Sequence, residues 1–469
     1  YAFTEPQTIS EAGSGLLAVG VAPAIRKGIR ATTETTHLVA AKAMRPSLAE
    51  YVHPDRGGPA ELRCLKHFSA KFVPTPPPKV DWGVIQERLL TSYPSAPQPA
   101  WIKRGLLYRE ELEQVMAEVK PDSTPGVPWH NLGPTKGDVI RTHSSVIIDV
   151  AVSRITRLMV LGHMLTSGEV SYADPIALVK GLYCDPVRVF IKQEPHKLSK
   201  AKLGAWRPIC SVSLVDELID RLIFGPQNKL EIDNWATCPS CPGIGFTPLQ
   251  IKQLLDKISS FSADMAEADI SGWDWSVKDW QFELEARARC LLAGALHDSL
   301  FAQLVQARFW CIRYSLYCLS DGTLLHQVHP GVMKSGLYIT SSSNSRMRVV
   351  LGWIAGAHSI VAMGDDSLES FHPNAEANYK AMGFTLKFYK RVTDSFEFCS
   401  HRYYPDGTYF PTNSDKGLFN LLASPYTRER FHSYLYENHS NPELPRLLEI
   451  IKLVAYLPEE DARVYFHSN

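Results

Sequence analysis

The chain has no net charge, no apolar run long enough to cross a bilayer, and no even, regularly spaced set of cysteines. Its 49 basic and 49 acidic side chains cancel, so a polyanion partner cannot be inferred from overall charge and any nucleic-acid surface must be local. The most apolar stretches, such as GLLAVGVAPAI (15–25), fall well short of the roughly 20 residues that a spanning helix needs. Acidic Glu5 and Glu11 stand where a signal peptide would be basic, so none is expected. The nine cysteines (Cys64, Cys184, Cys210, Cys238, Cys241, Cys290, Cys311, Cys318 and Cys399) are odd in number and scattered, which excludes a secreted disulfide framework. Cys238 and Cys241 have zinc-knuckle spacing, but no second such pair follows, and a reduced thiol pair in a loop is the simpler expectation. Low-complexity tracts and internal repeats are also lacking.

What is present is a chain of 469 residues with 45% apolar and 21% charged side chains. These are ordinary values for a soluble, folded protein. The length suits about three domains, or one large enzyme with several lobes around a shared cleft. Tyr1 in place of an initiator Met leads us to expect a chain trimmed or cut from a longer polyprotein.

The first 73 residues are mixed, with Gly-rich and polar pieces and one basic patch, IRKGIR (25–30). VPTPPPK (73–79) and YPSAPQPAW (93–101) read as extended connectors flanking one short helix, so the beginning is expected to be a wrapping arm. From about Tyr108, Leu112, Val115, Met116 and Val119 share a helical face until Pro121. A second amphipathic helix is predicted from about Ser144 to Met164. Residues 309–328 alternate in strand fashion around Asp321-Gly322, which predicts a hairpin. Past about Tyr403 the pattern is helical again, ending in LPRLLEIIKLVAYL (444–457). Strands and helices mix without regular βαβ alternation, so the expected fold class is α+β.

Two acidic segments carry the chemistry. In DMAEADISGWDWSVKDW (264–280), Met265 to Ile270 reads as a short buried strand with Asp269 at its end and Asp274 in the turn beyond. Ser276 with Asp279 reads as a capping box that opens a helix carrying Trp280, Leu284 and Leu291. In HSIVAMGDDSLESF (358–371), an apolar strand runs into Gly364-Asp365-Asp366 and returns, which places paired carboxylates at a hairpin tip. Taken singly, each has a plain structural explanation: a solvated strand end and a polar turn. A hairpin tip beside another strand end would gather Asp269 and Asp365 around one point. Such charges repel unless divalent cations compensate, and hard oxygen donors favour Mg2+ or Mn2+. Between the two lies KSGLYITSSSNSRMR (334–348), with Ser335-Gly336, Thr340 and Asn344 at regular spacing. Gly336 would let the chain approach a ligand closely, and hydroxyls with an amide can read a sugar's hydroxyls. A Ser-rich loop leading into a helix is the alternative.

In this order the segments DxxxxD, SGxxxTxxxN and GDD resemble motifs A, B and C in the palm of viral RNA-dependent RNA polymerases. Their wording is similar to that of the sobemovirus and polerovirus polymerases of plant viruses, most densely over 264–370. Upstream, VRVFIKQEPHKLSKAKLGAWRPI (187–209) sets Arg188, Lys192, Lys197, Lys200, Lys202 and Arg207 against the single acid Glu194, a local basic patch in a neutral chain. It resembles motif F. The resemblance implies that Lys192 and Arg207 contact the triphosphate, with Lys197, Lys200 and Lys202 along the RNA channel. STPGVP (123–128), with Ser123, Thr124 and Gly126, resembles motif G, which holds the template strand. YKAMGFTLKFYK (379–390) resembles motif D, whose lysine can protonate the pyrophosphate leaving group, and its spacing leaves both Lys387 and Lys390 open. FEFCSHRYY (396–404) resembles motif E, the hairpin that supports the primer end.

The resemblance implies a closed right hand of fingers, palm and thumb, with an RRM-like antiparallel palm sheet and a mainly helical thumb. Its parts would be an N-terminal arm and fingertips (1–100), fingers (101–215), palm (216–280), a fingers insertion (281–334), palm (335–402) and thumb (403–469). The implied activity is RNA-dependent RNA polymerisation that replicates and transcribes a positive-strand RNA virus genome, on a single-stranded RNA template and from ribonucleoside triphosphates. Asp269 and Asp365 would bind two Mg2+ or Mn2+ ions, with Asp366 a supporting ligand or electrostatic neighbour and the Ile270 carbonyl a further ligand. Asp274 and Asn344, with Ser335 or Thr340, would recognise the ribose 2′-hydroxyl. Membrane-associated replication complexes in the host cytoplasm, and initiation either de novo or primed by the genome-linked protein VPg, belong to the same expectation. The rivals are a reverse transcriptase, which would need a bulky gate against that hydroxyl, or another two-metal nucleotidyl transferase, and a non-catalytic RNA-binding scaffold, which needs cations but no clustered acids.

Overall fold

The computed structural model describes residues 10–13, 15–25, 34–261 and 264–467. Beyond Ile25, the basic patch at 25–30 lies outside the described residues. Helices and strands follow one another without regular alternation, an α+β arrangement. By internal packing the chain divides into two units: Tyr1–Gly28, Gly57–Phe190 and Pro208–Lys390 form the larger, and Ile29–Arg56, Ile191–Arg207 and Arg391–Asn469 the smaller.

The larger unit holds two sheets. In the six-stranded one the order is Ser10–Gly13, Leu16–Val21, Thr323–Gln327, Tyr317–Cys318, Val187–Ile191 and Pro208–Ser211. Ser10–Gly13 and Leu16–Val21, within the segment expected as a wrapping arm, pair antiparallel, and the second of them pairs antiparallel with Thr323–Gln327. The proline-rich segments do flank a helix, Trp82–Ser92, started by the Asp81 carboxylate that accepts from Gly83 N.

The core of this unit is built on Lys136–Thr166 packed along Leu300–Arg313. Ile147, Ala151, Ile155 and Leu158 recur at helical spacing and are buried. The predicted start at Ser144 falls just past a break in this helix, where His143 leaves helical geometry (φ −135°). Residues 309–313, expected as strand, are instead the end of the Leu300–Arg313 helix, and only Tyr317–Cys318 and Thr323–Gln327 are strands around the Asp321-Gly322 turn. The physical reason is burial. Phe301, Leu304, Val305, Ala307, Phe309, Trp310 and Ile312 cover several faces, so the helix shows no polar stripe that would reveal a 3.6-residue period. The capping box also differs from expectation. The helix Asp279–Leu292 is capped at Lys278, whose backbone N donates to Gln281 Oε1 (2.7 Å), while Asp279 pairs with Arg313 (2.5 Å) and Ser276 closes the short helix Trp273–Ser276 through the Trp273 carbonyl.

The smaller unit has its own core, in which Leu38 and Ala41 of Thr36–Met44 pack with Leu418, Phe419 and Leu422 of Ser414–Leu422, Phe431 of Arg428–Glu437, and Leu447, Ile450 and Ile451 of Leu444–Leu453. The predicted hairpin at 396–404 forms, Phe396–Phe398 against His401–Tyr403, and gains a third strand, Tyr409–Pro411. Among the described residues no helix is long and apolar enough to cross a membrane.

Candidate functional site

A four-stranded sheet in the larger unit orders Ile360–Met363, Asp366–Ser370, Met265–Ile270 and Leu386–Arg391. Ile360–Met363 and Asp366–Ser370 form a tight antiparallel hairpin closed by Gly364 and Asp365, with Met363 opposite Asp366. Gly364 has φ +61°, a conformation that costs little only without a Cβ. The returning strand pairs antiparallel with Met265–Ile270, Ser367 opposite Ala268. The pairing ends at Ser367 and Ala268, so the strand ends that carry Asp366 and Asp269 lie side by side. The sequence reading gathers Asp269 and Asp365 around one point; the structure makes the Asp269 strand and the returning strand of this hairpin neighbours, with Asp365 in the turn.

The turn is held from behind by a residue that sequence reasoning missed. Arg348 lies in the helix Thr340–Ala355 and is fully buried. Its Nε donates to the Asp365 carbonyl (3.0 Å), Nη2 to Ser367 Oγ (2.8 Å) and Nη1 to the Tyr379 hydroxyl (2.7 Å), with Glu369 Oε1 at 3.4 Å. Burial opposes its charge, but Tyr379, Glu369 and the Asp365 carboxylate outweigh that and raise the guanidinium above its ordinary value. Ser345, one turn before, accepts from Gly364 N (2.9 Å). The available signal was spacing: Arg348 follows Asn344 by four residues and so shares its helical face.

Asp274 and Asn344 meet. Asn344 Nδ2 donates to Asp274 Oδ1 (3.0 Å), and Trp273 Nε1 donates to Asn344 Oδ1 (2.9 Å), which fixes the amide's orientation. Trp273 in turn stacks on Phe384, with ring centres 5.7 Å apart. The other residues of this group make contacts within the protein. Ser335 Oγ accepts from Cys210 N (3.0 Å), and Thr340 Oγ1 donates to the Lys334 carbonyl (2.7 Å). Gly336 does permit a close approach, but to protein: a Cβ there would lie 2.3 Å from the Cys210 carbonyl oxygen.

Of the two lysines left open, Lys387 reaches Asp269, its Nζ 3.3 Å from Oδ2, while Lys390 lies over the Phe388 ring at 5.3 Å. Ser123 Oγ donates to the Lys120 carbonyl, and Thr124 and Gly126 belong to a turn whose Pro125 carbonyl accepts from Leu214 N (2.9 Å). In the smaller unit, Lys192 N donates to the Arg207 carbonyl (2.8 Å), and both side chains face Glu194, at 3.2 and 3.7 Å. Lys416, from far downstream, joins them at 3.7 Å. Burial would raise the Glu194 carboxyl, yet Lys416, Lys192 and Arg207 together hold it below its ordinary value. Lys197 precedes the short helix Leu198–Leu203 that carries Lys200 and Lys202, and all three are exposed.

The donors at Asp269, Asp365, Asp366 and the Ile270 carbonyl are all hard oxygens, which suits Mg2+ or Mn2+. Neighbouring strands bring these groups to one end of the sheet, but among the described residues no group of three or more His, Cys, Asp or Glu side chains is arranged to hold a metal ion. The donor chemistry fits, then, without a preassembled cage. At the other candidate, Cys238 and Cys241 are buried thiols and Lys257 Nζ bonds the Cys238 carbonyl and lies 3.4 Å from Cys241 Sγ; a cation there opposes a metal.

A family model described as viral RNA-directed RNA-polymerase matches residues 78–414. The chain is 36% identical over 464 residues to a replicase polyprotein P2AB of Southern bean mosaic virus, covering 95% of this chain and 47% of that protein. It is 35% identical over 384 residues to an RNA-directed RNA polymerase of Mushroom bacilliform virus, covering 77% of this chain and 89% of the relative. A protein P1-P2 of Turnip yellows virus is 39% identical over 298 residues, which is 60% of this chain and 28% of the relative. The chain spans about half the length of the replicase polyproteins it matches.

Proposed function

This chain belongs to the viral RNA-directed RNA polymerase family, and from that premise we propose that it extends RNA on a single-stranded RNA template from ribonucleoside triphosphates. The observation that carries the site assignment is the antiparallel pairing of the Asp269 strand with the hairpin of Asp365 and Asp366. In this reading the nascent 3′-hydroxyl attacks the α-phosphate and pyrophosphate leaves. Asp269, Asp365 and Asp366, with the Ile270 carbonyl, would hold two Mg2+ or Mn2+ ions, which when bound supply charge stabilisation at the attacking, bridging and leaving oxygens.

The remaining groups bind, orient and move protons. Asn344, oriented by Trp273, and Asp274, bonded to it, read the ribose 2′-hydroxyl together with Ser335 or Thr340. Lys387 is the better placed of the two lysines to deliver a proton to pyrophosphate, since its Nζ lies 3.3 Å from Asp269. Lys192 and Arg207, already attracted to one carboxylate, have the charge and reach to exchange it for a triphosphate. Lys197, Lys200 and Lys202 would track RNA phosphates, and Ser123, Thr124 and Gly126 the template.

The same proposal carries the closed right hand with its palm, fingers and thumb divisions, replication and transcription of a positive-strand genome, VPg as a primer, and membrane-associated complexes in the host cytoplasm. The deciding assay combines purified protein, a single-stranded RNA template, ribonucleotides and Mg2+ or Mn2+. Template-dependent RNA product is expected, and Asp365→Ala should abolish it while the circular dichroism spectrum is unchanged. Product retained by Asp365→Ala would rule out the metal assignment.

A further inference from the structure

The loop of Ser335 and Gly336 begins with a lysine whose chemistry the reading above leaves unused. Lys334 is 1% exposed, and its Nζ donates to three backbone carbonyls: Ile312 at 2.6 Å, Gly331 at 2.8 Å and Val332 at 2.8 Å. An ammonium group has three N–H donors and no acceptor, so each donor is engaged. Ile312 sits in the last turn of Leu300–Arg313, where carbonyls lack helical partners and the helix dipole favours a cation. The other two carbonyls belong to a turn in which Gly331 has φ +133° and Val332 φ +62°. A β-branched residue in the left-handed region is strained, and such strain persists only where the surroundings over-determine it.

Those surroundings lead to the sugar-reading pair. Val332 N donates to the Val277 carbonyl (2.9 Å) and Met333 N to the Asp274 carbonyl (2.8 Å). On the far side of Lys334, Gly336 N donates to the Cys210 carbonyl (3.0 Å), and the carbonyl of Lys334 itself accepts from Thr340 at the start of the Asn344 helix. The Lys334 ammonium thus holds the turn that grips Asp274, and the backbone of the same residue joins the helix that carries Asn344.

We propose that Lys334 is a positioning residue for sugar selection: its ammonium locks the strained Gly331–Val332 turn and so sets Asp274 against Asn344. The proposal rests on the reading of Asp274 and Asn344 as the 2′-hydroxyl sensor. The lock depends on charge, because a neutral amine donates only two hydrogen bonds and would leave one buried carbonyl unpaired. Burial pushes Lys334 down to about 7, with Cys210 and Asp279 raising it and Arg308 lowering it. The Tyr317 ring lies 5.8 Å from Nζ, and Asp185 and Asp216, which line a small adjoining cavity, are both engaged by Arg154. Deprotonation as pH rises through about 7 therefore opens the lock.

The test is the ratio of kcat/KM for ribonucleotides over deoxynucleotides, measured on one RNA template for the wild type, Lys334→Met and Asp274→Ala. The wild-type ratio is expected to fall as pH is raised from about 6 to about 8.5. Lys334→Met should show a ratio lowered about tenfold at the acid end, the size of one lost charge-assisted hydrogen bond, and indifferent to pH. If Asp274→Ala keeps the wild-type ratio, the sensor reading itself fails. If Asp274→Ala loses the ratio while Lys334→Met retains both its size and its pH profile, only the lock is overturned. Should Lys334→Met fail to fold, the wild type decides alone, and a ratio flat across that pH range overturns the proposal.

Discussion

Arg348→Met would leave Glu369 and Tyr379 buried beside a thioether in place of a guanidinium, and would remove the bond from the Arg348 side chain to the Asp365 carbonyl. Breaking one partner of a buried ion pair typically costs about 3–5 kcal/mol, so the urea midpoint should drop clearly and incorporation should be lost with it. Arg348→Lys is expected to rescue neither, since a single ammonium cannot reach the turn, Ser367 and Tyr379 from one planar fork. A second buried cation behaves in the opposite way. Lys278 is 1% exposed, its Nζ lies 5.0 Å from the Phe72 ring and 5.1 Å from the Phe384 ring, and it has no hydrogen-bond acceptor among the described residues. Burial lowers its pKa from 10.5 to about 8. Between those values the unfolded chain binds the proton that the folded chain has released, so stability rises with pH across that window. Lys278→Met should match or exceed the wild type at neutral pH, by up to a few kcal/mol, and this advantage should shrink between about pH 8 and about pH 10.5 in urea melts. A gap that widens with pH would contradict the assignment.

At the scale of elements, the hairpin that ends in Gly364-Asp365-Asp366 depends on its turn. Gly364→Ala forces a Cβ into the left-handed region at a cost of about 1–2 kcal/mol, with open space around it. We expect a modest fall in thermal midpoint and a larger fall in incorporation, because the strain falls on the residue next to Asp365. Sequence patterns served the half-exposed elements well: the helices at 109–118 and 82–92 and the hairpin at 360–370 lie where helical periodicity, flanking proline-rich segments and the turn residues put them. They failed for Leu300–Arg313 and were ambiguous for Thr340–Ala355. In the latter, Ser342 and Ser343 are buried and bonded to Arg289 of the helix Asp279–Leu292. A polar residue reads as exposed until its buried partner is known, and that partner is distant in the chain.

For the whole molecule, the smaller unit is assembled from three separate stretches of chain. Leu38, Ala41 and Leu48 complete the same core as Phe419, Phe431 and Ile450, so a fragment of residues 391–469 lacks part of its own interior. Expressed alone it should show little cooperative thermal unfolding by circular dichroism, and adding residues 29–56 in trans should increase helicity. A fragment that melts cooperatively without that partner would show the core to be self-sufficient. By itself the sequence determined which chemical groups exist and in what order: the carboxylates at 269, 365 and 366, the Asp274 and Asn344 pair, the basic run at 187–209. Such motifs are legible because their spacing is local. Only the tertiary structure decided that the Asp269 strand pairs with the returning strand of the Gly364-Asp365-Asp366 hairpin, that Lys387 rather than Lys390 reaches Asp269, and that Arg348 and Lys334 hold the turns behind. Strand register and the partner of a buried charge are set by contacts between distant segments, where a shift of one residue turns a side chain to the other face and a missing partner costs several kcal/mol.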